Sequence, residues 1–153
     1  MMDTVTYPDR RVTALLASRF NVVRIDVKNV LPEQREIVRL ARPLWTPTVA
    51  FLAGGNEVRR AVGYLPPHDF LAEAHIALGQ IELLHQNFDE AFTIFREAAD
   101  TYASAEALFW AGVAAFKRVR TFDVLRPVWD EVAAKYPDSP WARRADVWGI
   151  VDR

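Results

Sequence analysis

Residues 72–98, AEAHIALGQIELLHQNFDEAFTIFREA, decide the fold of the longer part of the chain. Apolar side chains recur at helical spacing along both halves of this stretch. Gly79 in the first half leaves space for the ring of Phe95 in the second, as two closely packed helices require. The stretch therefore predicts an antiparallel pair of helices, the first of which spans 67–86.

The pattern returns 34 residues later, in a copy that starts at Glu106. Gly112 stands one place before the position that matches Gly79, and Trp129 takes the place of Phe95. The spacing resembles the tetratricopeptide repeat (TPR), although Leu125 replaces the usual alanine. This resemblance implies two TPR-like helical hairpins and a C-terminal capping helix. An unrelated helical bundle with the same core positions is the alternative.

Start and stop signals set the expected helix bounds in this half of the chain. After the helix over 67–86, Asn87 is expected to cap a helix from Phe88 to about Thr101, with Glu90 as its capping-box partner. Three further helices are expected. One spans about Ser104–Val119, and one is capped by Thr121 or Asp123 and ends near Pro137, so that Pro127 either kinks it or falls in the first turn of a helix that starts late. The last has Ser139 as its N-cap and Pro140 as its first residue, and it carries Trp141, Val147 and Trp148.

The first 65 residues alternate between helical and extended patterns, which is typical of an α/β layer. In chain order we first expect a helix that begins at Pro8, with Val12, Leu15, Leu16 and Phe20 on its buried face. A strand rich in β-branched residues over Asn21–Val27 and a helix from Pro32 to Pro43 are expected next. The last element is a hairpin of Val49–Leu52 and Glu57–Gly63 that turns at Gly54 and Gly55.

The stretch Trp45-Thr46-Pro47-Thr48, placed between a helix and the hairpin, resembles the thioredoxin family from its second helix onward. In that family the Thr-Pro peptide bond is cis and the proline lies against a redox-active Cys-x-x-Cys pair, so the resemblance makes Pro47 the cis-proline. The expected fold class is therefore α/β plus all-α. A partial thioredoxin-like α-β-α-β-β-α layer over residues 1–66 runs into a TPR-like helical repeat domain over 67–153, with helix 67–86 shared between them.

The chain has no cysteine. Thr6-Tyr7-Pro8-Asp9 resembles the family's segment just after the Cys-x-x-Cys pair, so the pair is expected either upstream of Met1 or lost by truncation. The family's strand beside the pair would be the central neighbour of the Asn21–Val27 strand. Without it, this strand is expected to pair with Thr48–Leu52 or to join a second chain, and we favour a homodimer formed through the incomplete sheet.

Composition narrows the possible functions. Among 153 residues, 19 basic and 20 acidic side chains give a net charge of −1, which argues against a nucleic-acid partner. No apolar run approaches the roughly 20 residues that span a membrane, and the polar N-terminus is unlike a signal peptide, so a cytoplasmic protein is expected. The resemblance of Thr6-Tyr7-Pro8-Asp9 to bacterial thioredoxin-like proteins implies a bacterial one. Glu82 with His85, and His68 with His75, lack further ligands, so no metal and no cofactor is expected.

In TPR folds the first helix of each pair lines the concave, ligand-binding face. The matching positions form the candidate groove: Glu73, Ile76, Gln80, Leu83 and Leu84 in the first pair, and Ala107, Trp110, Ala114, Lys117 and Arg118 in the second. Lys117 and Arg118 beside Trp110 are suited to an acidic peptide. Alternatively, they are a solvated helix end that favours the C-terminal dipole.

No catalytic constellation is found, so the sequence predicts a non-enzymatic, redox-inactive protein-interaction module that binds peptide or protein clients in a chaperone-like way. The alternative is the C-terminal part of a thiol-disulfide oxidoreductase or thioredoxin-like chaperone, in which the TPR-like half selects clients and the Cys-x-x-Cys pair lies upstream of Met1.

Overall fold

The computed structural model describes residues 1–148. Within that range the chain is mostly helical and has a small two-stranded antiparallel sheet, so it is a mixed α and β protein. The elements are α1 (Arg10–Arg19), α2 (Arg35–Ala41), β1 (Thr48–Ala53), β2 (Asn56–Val62), α3 (Pro67–Leu84), α4 (Phe88–Tyr102), α5 (Ala105–Val119), α6 (Phe122–Lys135) and α7 (Pro140–Ala145), with a π-helical turn at Met2–Thr6 and a 3-10 turn at Pro32–Gln34.

The chain divides within α3 into two compact units. Unit 1 comprises Met1–Ala74, and unit 2 begins at His75. Unit 1 contains the sheet, α1, α2 and the start of α3, whereas unit 2 contains the rest of α3 and all later helices.

The hairpin expected from the sequence is confirmed. Strands β1 and β2 pair antiparallel, from Thr48 opposite Val62 to Ala53 opposite Asn56. Gly54 and Gly55 both have positive φ, 58° and 77°, and the mirror-image turns that join twisted antiparallel strands require this conformation.

The core of unit 1 forms around Phe51 of β1. Its ring centroid lies 5.5 Å from that of Phe20, at the end of α1, and 6.5 Å from that of Phe70, on α3. Val12 of α1 is fully buried as well. The Arg59 guanidinium on β2 pairs with the Glu73 carboxylate on α3 at 2.6 Å, so an ion pair also links the hairpin to this helix.

Helix α1 begins two residues later than Pro8, because Asp9 takes the N-cap position. The Asp9 carboxylate accepts hydrogen bonds from the backbone N–H groups of Arg11 and Val12 at 2.9 and 3.4 Å. A side-chain cap of this kind satisfies donors that the first turn of a helix leaves unpaired.

The strand expected over Asn21–Val27 is wrong as an element of the sheet. Residues 20–26 carry no ladder, turn or bend, and the described sheet contains β1 and β2 only. β-branched composition favours an extended backbone, but a strand also needs a neighbour for its N–H and C=O groups. The segment therefore does not pair with Thr48–Leu52 within the chain.

Unit 2 stacks its helices in sequence order around one core. A Cβ atom placed on Gly79 would lie 2.5 Å from the ring of Phe95, and one on Gly112 would lie 2.6 Å from Trp129. Both glycines therefore allow an aromatic ring of the next helix to touch helix backbone. The core around them is mainly small, and its buried members include Ala91, Ala98, Ala107, Leu108, Ala111, Ala114, Val132 and Ala142.

The first helices of the two helical pairs end in the same way. Gln86 after α3 and Arg120 after α5 both have φ of 63°, in the left-handed region, and they are separated by one 34-residue period. A left-handed residue at this place closes a helix and turns the chain back. The backbone therefore repeats at the interval that the side-chain pattern predicts.

Two local expectations in unit 2 need correction, and the structure decides between two alternatives for α6. Asn87 occupies the N-cap position of α4, but its side chain does not cap the helix; instead it donates to Glu82 Oε2 at 2.7 Å. Helix α6 begins at Phe122, so Thr121 rather than Asp123 occupies the N-cap position and Pro127 lies inside the helix. Helix α7 ends at Ala145, which leaves Val147 and Trp148 outside it.

Candidate functional site

Helix α5 carries the second half of the candidate groove. Ser104 caps its start, because the hydroxyl accepts a hydrogen bond from the N–H of Ala107 at 3.1 Å. Trp110, Ala114, Lys117 and Arg118 follow at i, i+4, i+7 and i+8, which places them along one face of the helix. We call Trp110, Lys117 and Arg118 the α5 stripe.

Packing removes several expected groove positions from the surface. Ile76 on α3 and Ala107 and Ala114 on α5 are buried in the core of unit 2. Their side chains support the helices from inside, and they offer no area to a ligand. The expectation that these three residues line an accessible groove is therefore corrected by their burial.

Trp110 is half-buried and is held in one orientation by its neighbours. Its ring stacks on Phe95 of α4, with centroids 6.2 Å apart and planes at 21°, and meets the edge of Phe109 at 6.0 Å. The indole N–H donates to the Glu106 carboxylate at 3.4 Å. The ring is therefore fixed from behind while part of it stays accessible.

The two cations of the α5 stripe lie in the last turn of the helix and are exposed. Arg118 donates to the Asp89 carboxylate of α4 at 2.7 Å, with 50% and 80% of the two side chains exposed. Within residues 1–148, no ion pair of Lys117 is described. Since helix residues rise about 1.5 Å each, Lys117 lies roughly 10 Å along the axis from Trp110.

The α3 positions of the candidate groove have different surroundings. The Glu73 carboxylate is already paired with Arg59 in unit 1. Leu83 is half-buried against the core, whereas Leu84 is 65% exposed. Gln80 Oε1 is buried and accepts no hydrogen bond from any described residue. These five positions thus do not form one continuous accessible surface.

An aromatic cluster lies between α5, α6 and α7, in the part of the chain that holds four of its five tryptophans. The rings of Phe109 and Trp129 stack with centroids 4.7 Å apart and planes at 13°, and Trp141 lies 5.1 Å from Phe109. Trp148 lies 5.9 Å from Trp129 and borders a cleft of about 280 Å³ beside it. The five tryptophans of the chain were the available signal, but their spacing alone did not reveal the stack.

In unit 1 the peptide bond between Thr46 and Pro47 is cis. The Pro47 carbonyl accepts a hydrogen bond from the N–H of Gly63 at 2.8 Å, so this loop is tied to the end of β2. Before it, Leu44 and Trp45 are 91% and 70% exposed, and both line a shallow groove of about 270 Å³ together with Val27. The chain has no thiol to face this loop.

Some charged groups outside the α5 stripe form ion pairs, such as Arg96 with Glu131 at 2.7 Å. In the described residues, no three histidine, aspartate or glutamate side chains gather where they could hold a metal ion. No described helix is both long and apolar enough to cross a membrane. The Asp26 carboxyl has a lowered pKa, because the Asn29 side chain and the Lys28 N–H donate to it.

Comparison with known proteins yields no relative. No protein-family model, no curated protein and no solved structure matches this chain.

Proposed function

We propose that this protein is an interaction module whose helical unit binds an acidic peptide or protein segment along the α5 stripe. The observation that carries the proposal is a fixed, half-buried Trp110 followed two turns later by exposed Lys117 and Arg118. An aromatic surface two helical turns away from a pair of cations suits a chain that presents an apolar side chain and, further along, carboxylates.

The Arg118–Asp89 ion pair is compatible with such a ligand. Both side chains are at least half exposed, and exposed ion pairs contribute only about 0.2–1 kcal/mol. A peptide carboxylate can therefore take the place of Asp89 at little cost. Lys117 adds a second cation one residue earlier, so a ligand with two acidic side chains fits better than one with a single charge.

We further propose that unit 2 is a TPR-like repeat. Two features that recur at or near the 34-residue period support this assignment. They are the contacts of Gly79 with Phe95 and of Gly112 with Trp129, and the left-handed residues Gln86 and Arg120. In TPR folds the first helix of each pair faces the ligand, and α5 is the first helix of the second pair.

Selection of peptides from a random display library tests the proposal. The immobilised full chain is expected to enrich sequences rich in aspartate and glutamate, and the affinity of one enriched peptide is then measured by fluorescence anisotropy. The variant Lys117→Ala/Arg118→Ala is expected to bind at least tenfold more weakly, which corresponds to about 1.4 kcal/mol. The matched control Lys28→Ala/Arg35→Ala removes two exposed cations of unit 1 and should bind normally.

A failure to enrich acidic peptides would overturn the proposal. Equal weakening by both double variants would also overturn it, because the effect would then follow net charge rather than the α5 stripe. Circular dichroism of each variant shows whether the helices are retained.

The second candidate is the C-terminal part of a thioredoxin-like oxidoreductase or chaperone. The order of α1, α2, the β1–β2 hairpin and α3 supports it, since the thioredoxin resemblance implies these elements in this order, with a strand between α1 and α2 where the structure has the unpaired residues 20–26. The DNA upstream of the Met1 codon tests it. An in-frame strand pattern that ends in Cys-x-x-Cys supports this candidate, and in-frame stop codons remove it.

A further inference from the structure

Residues 20–26 of unit 1 form a backbone segment that pairs with no strand in the described structure. Phe20 begins the segment with extended angles, φ −134° and ψ 146°, and no turn or bend follows before Val27. Among the described residues, the N–H groups of positions 21–25 donate to no acceptor. Val22 and Val23 are 62% and 52% exposed. An exposed apolar strand edge of this kind is a template for another strand.

Along one edge of the segment, two backbone carbonyl groups already accept hydrogen bonds. The Gln34 side chain donates to the carbonyl of Arg24 at 3.2 Å, and the Asn29 N–H donates to the carbonyl of Asp26 at 2.9 Å. Successive residues of an extended strand direct their N–H and C=O groups to opposite edges. The even-numbered residues therefore face this occupied edge, and Val23 and Ile25 direct their backbone groups to the open one.

The sequence of the segment is complementary to itself when reversed. We propose that unit 1 forms a twofold dimer in which residues 24–26 of two copies pair as antiparallel strands centred on Ile25. Each Arg24 then lies opposite Asp26 of the second copy, and each Val23 approaches Val27, where the Asp26–Asn29 turn begins. The inference is independent of peptide binding by unit 2.

Charge selects this register over its neighbours. A twofold axis perpendicular to the sheet lies midway between two copies of the same residue, which we call the centre of the register. We compare centres at Val23, Arg24 and Ile25. A centre at Arg24 places two guanidinium groups opposite each other, and like charges in directly opposed positions destabilise a sheet. A centre at Val23 pairs Arg24 with Val22 and forms no ion pair. A centre at Ile25 forms two Arg–Asp pairs.

The Arg24 guanidinium and the Asp26 carboxylate can each form more hydrogen bonds than they do within one chain. The Arg24 guanidinium donates to Asp3 at 2.9 Å and has five N–H donors in all. The Asp26 carboxylate accepts from the Lys28 N–H and the Asn29 side chain, each at 2.9 Å, and its two oxygens accept about four hydrogen bonds. A cross-chain ion pair can therefore form while the present partners are kept.

The apolar surface beside the segment fits the same arrangement. Val27 lines the shallow groove that Leu44 and Trp45 also border, and both of these side chains are largely exposed. In the proposed register, Val23 of the second copy reaches Val27 at the rim of this groove. The second copy would therefore cover apolar area as well as complete the ladder.

Two charge-reversal variants of the full chain test the proposal. Analytical ultracentrifugation measures the dimerisation of each variant alone and of the two mixed. Arg24→Asp and Asp26→Arg each place like charges opposite each other in a homodimer, so each is expected to raise the dimer dissociation constant about tenfold or more. Mixed together, the two variants have both ion pairs restored and are expected to form a heterodimer. The double variant Arg24→Asp/Asp26→Arg should regain the homodimer.

A cysteine cross-link reads the register directly, because the chain has no other thiol. Two Ile25→Cys residues on the axis would have Cα atoms about 5.5 Å apart, within the range of about 4.4–6.8 Å that a disulfide spans. The two Ile25→Cys thiols are expected to oxidise to a disulfide that links the two chains. Two Val23→Cys residues would be offset by four residues along the strands, with Cα atoms about 14 Å apart, so they should not form a disulfide.

A wild-type chain that stays monomeric up to submillimolar concentration would overturn the proposal, as would a mixture of the two charge variants that does not form heterodimers. Cross-linking at position 23 but not at position 25 would overturn the register. Acidic-peptide binding by the monomeric variants is measured alongside, so loss of the dimer and loss of the proposed peptide function are told apart.

Discussion

At the scale of single residues, the contact between Gly112 and Trp129 sets how closely α5 and α6 approach. A Cβ atom on Gly112 would lie 2.6 Å from Trp129 Cδ1 and 3.1 Å from Leu125. Alanine in place of a helix glycine normally adds about 0.5–1 kcal/mol of stability. For Gly112→Ala we instead expect a loss of roughly 1–3 kcal/mol, because the site becomes overpacked.

Urea denaturation of four chains checks this expectation: wild type, Gly112→Ala, Trp129→Leu and the double variant. The smaller leucine side chain makes room for the new methyl group, so Gly112→Ala should cost much less in the Trp129→Leu background. An equal loss in both backgrounds would show that the ring contact is not the cause.

Gln80 offers a substitution that should raise stability, because its buried side-chain carbonyl lowers the free energy of unfolding. Its Oε1 atom is buried and has no hydrogen-bond partner in the described structure, and such an atom costs about 1–3 kcal/mol. Gln80→Met keeps a similar shape without the carbonyl. We expect the free energy of unfolding to rise by about 1 kcal/mol, measured by urea denaturation. A fall in stability would mean that Gln80 makes a hydrogen bond that this structure lacks.

At the scale of elements, the starts of α5 and α6 offer a matched pair of N-cap positions. Ser104 accepts a hydrogen bond from the Ala107 N–H, whereas Thr121 occupies the same place before α6 and makes no capping bond. We expect Ser104→Ala to cost about 0.5–2 kcal/mol and Thr121→Ala clearly less. Thermal unfolding of both variants measures the difference. A larger loss for Thr121→Ala would contradict these cap assignments.

Helix bounds could be predicted wherever a local signal decides them. Ser139 caps α7, as expected, because a cap depends on residues within one turn, and Ser104 caps α5 in the same way. Asn87 does not cap α4, and its amide N–H₂ donates instead to the Glu82 carboxylate, five residues earlier. The orientation of this side chain depends on how the α3–α4 loop folds, which the spacing of residues does not specify.

The segment over 21–27 shows the limit of β propensity. Its valines and isoleucine favour an extended backbone, but a strand exists only where a neighbour completes the ladder. The sequence could therefore indicate the local conformation and not the pairing. The candidate groove failed in part for a similar reason: repeat spacing places Ile76 and Ala114 on particular helix faces, and the packing of neighbouring helices buries them.

For the whole molecule, the sequence predicted the change from alternating helices and strands in the first part of the chain to helices alone in the second part. Strand signals stop before Pro67, and no strand is described beyond β2. The division into compact units was harder to place, since it falls after Ala74 inside the continuous helix α3. A helical pattern runs through that point without a break, so periodicity carries no information about where the contacts of one unit end.

Stability should depend on pH through an ion-pair cluster that joins α4 to α6. Glu131 accepts from Arg96 at 2.7 Å and from Lys135 at 2.6 Å. The Arg96 hydrogen bond, helped by Lys135, holds the pKa of Glu131 below its ordinary value of 4.5, and partial burial opposes this only in part. Because the folded state binds this proton less tightly than the unfolded chain, the ionised carboxylate stabilises the fold above pH 4.5.

This contribution is lost as pH falls through the lower, folded pKa, and Glu131→Gln removes it at every pH. Because the cluster is partly exposed, we expect the variant to be less stable than wild type by no more than about 1 kcal/mol at pH 7. Below pH 4.5 the difference should shrink, as the wild-type carboxylate becomes protonated. Urea denaturation between pH 7 and pH 3 measures it, with Glu97→Gln on the exposed face of α4 as the control. A gap that stays constant over this range would show that charge pairing at Glu131 does not stabilise the contact between α4 and α6.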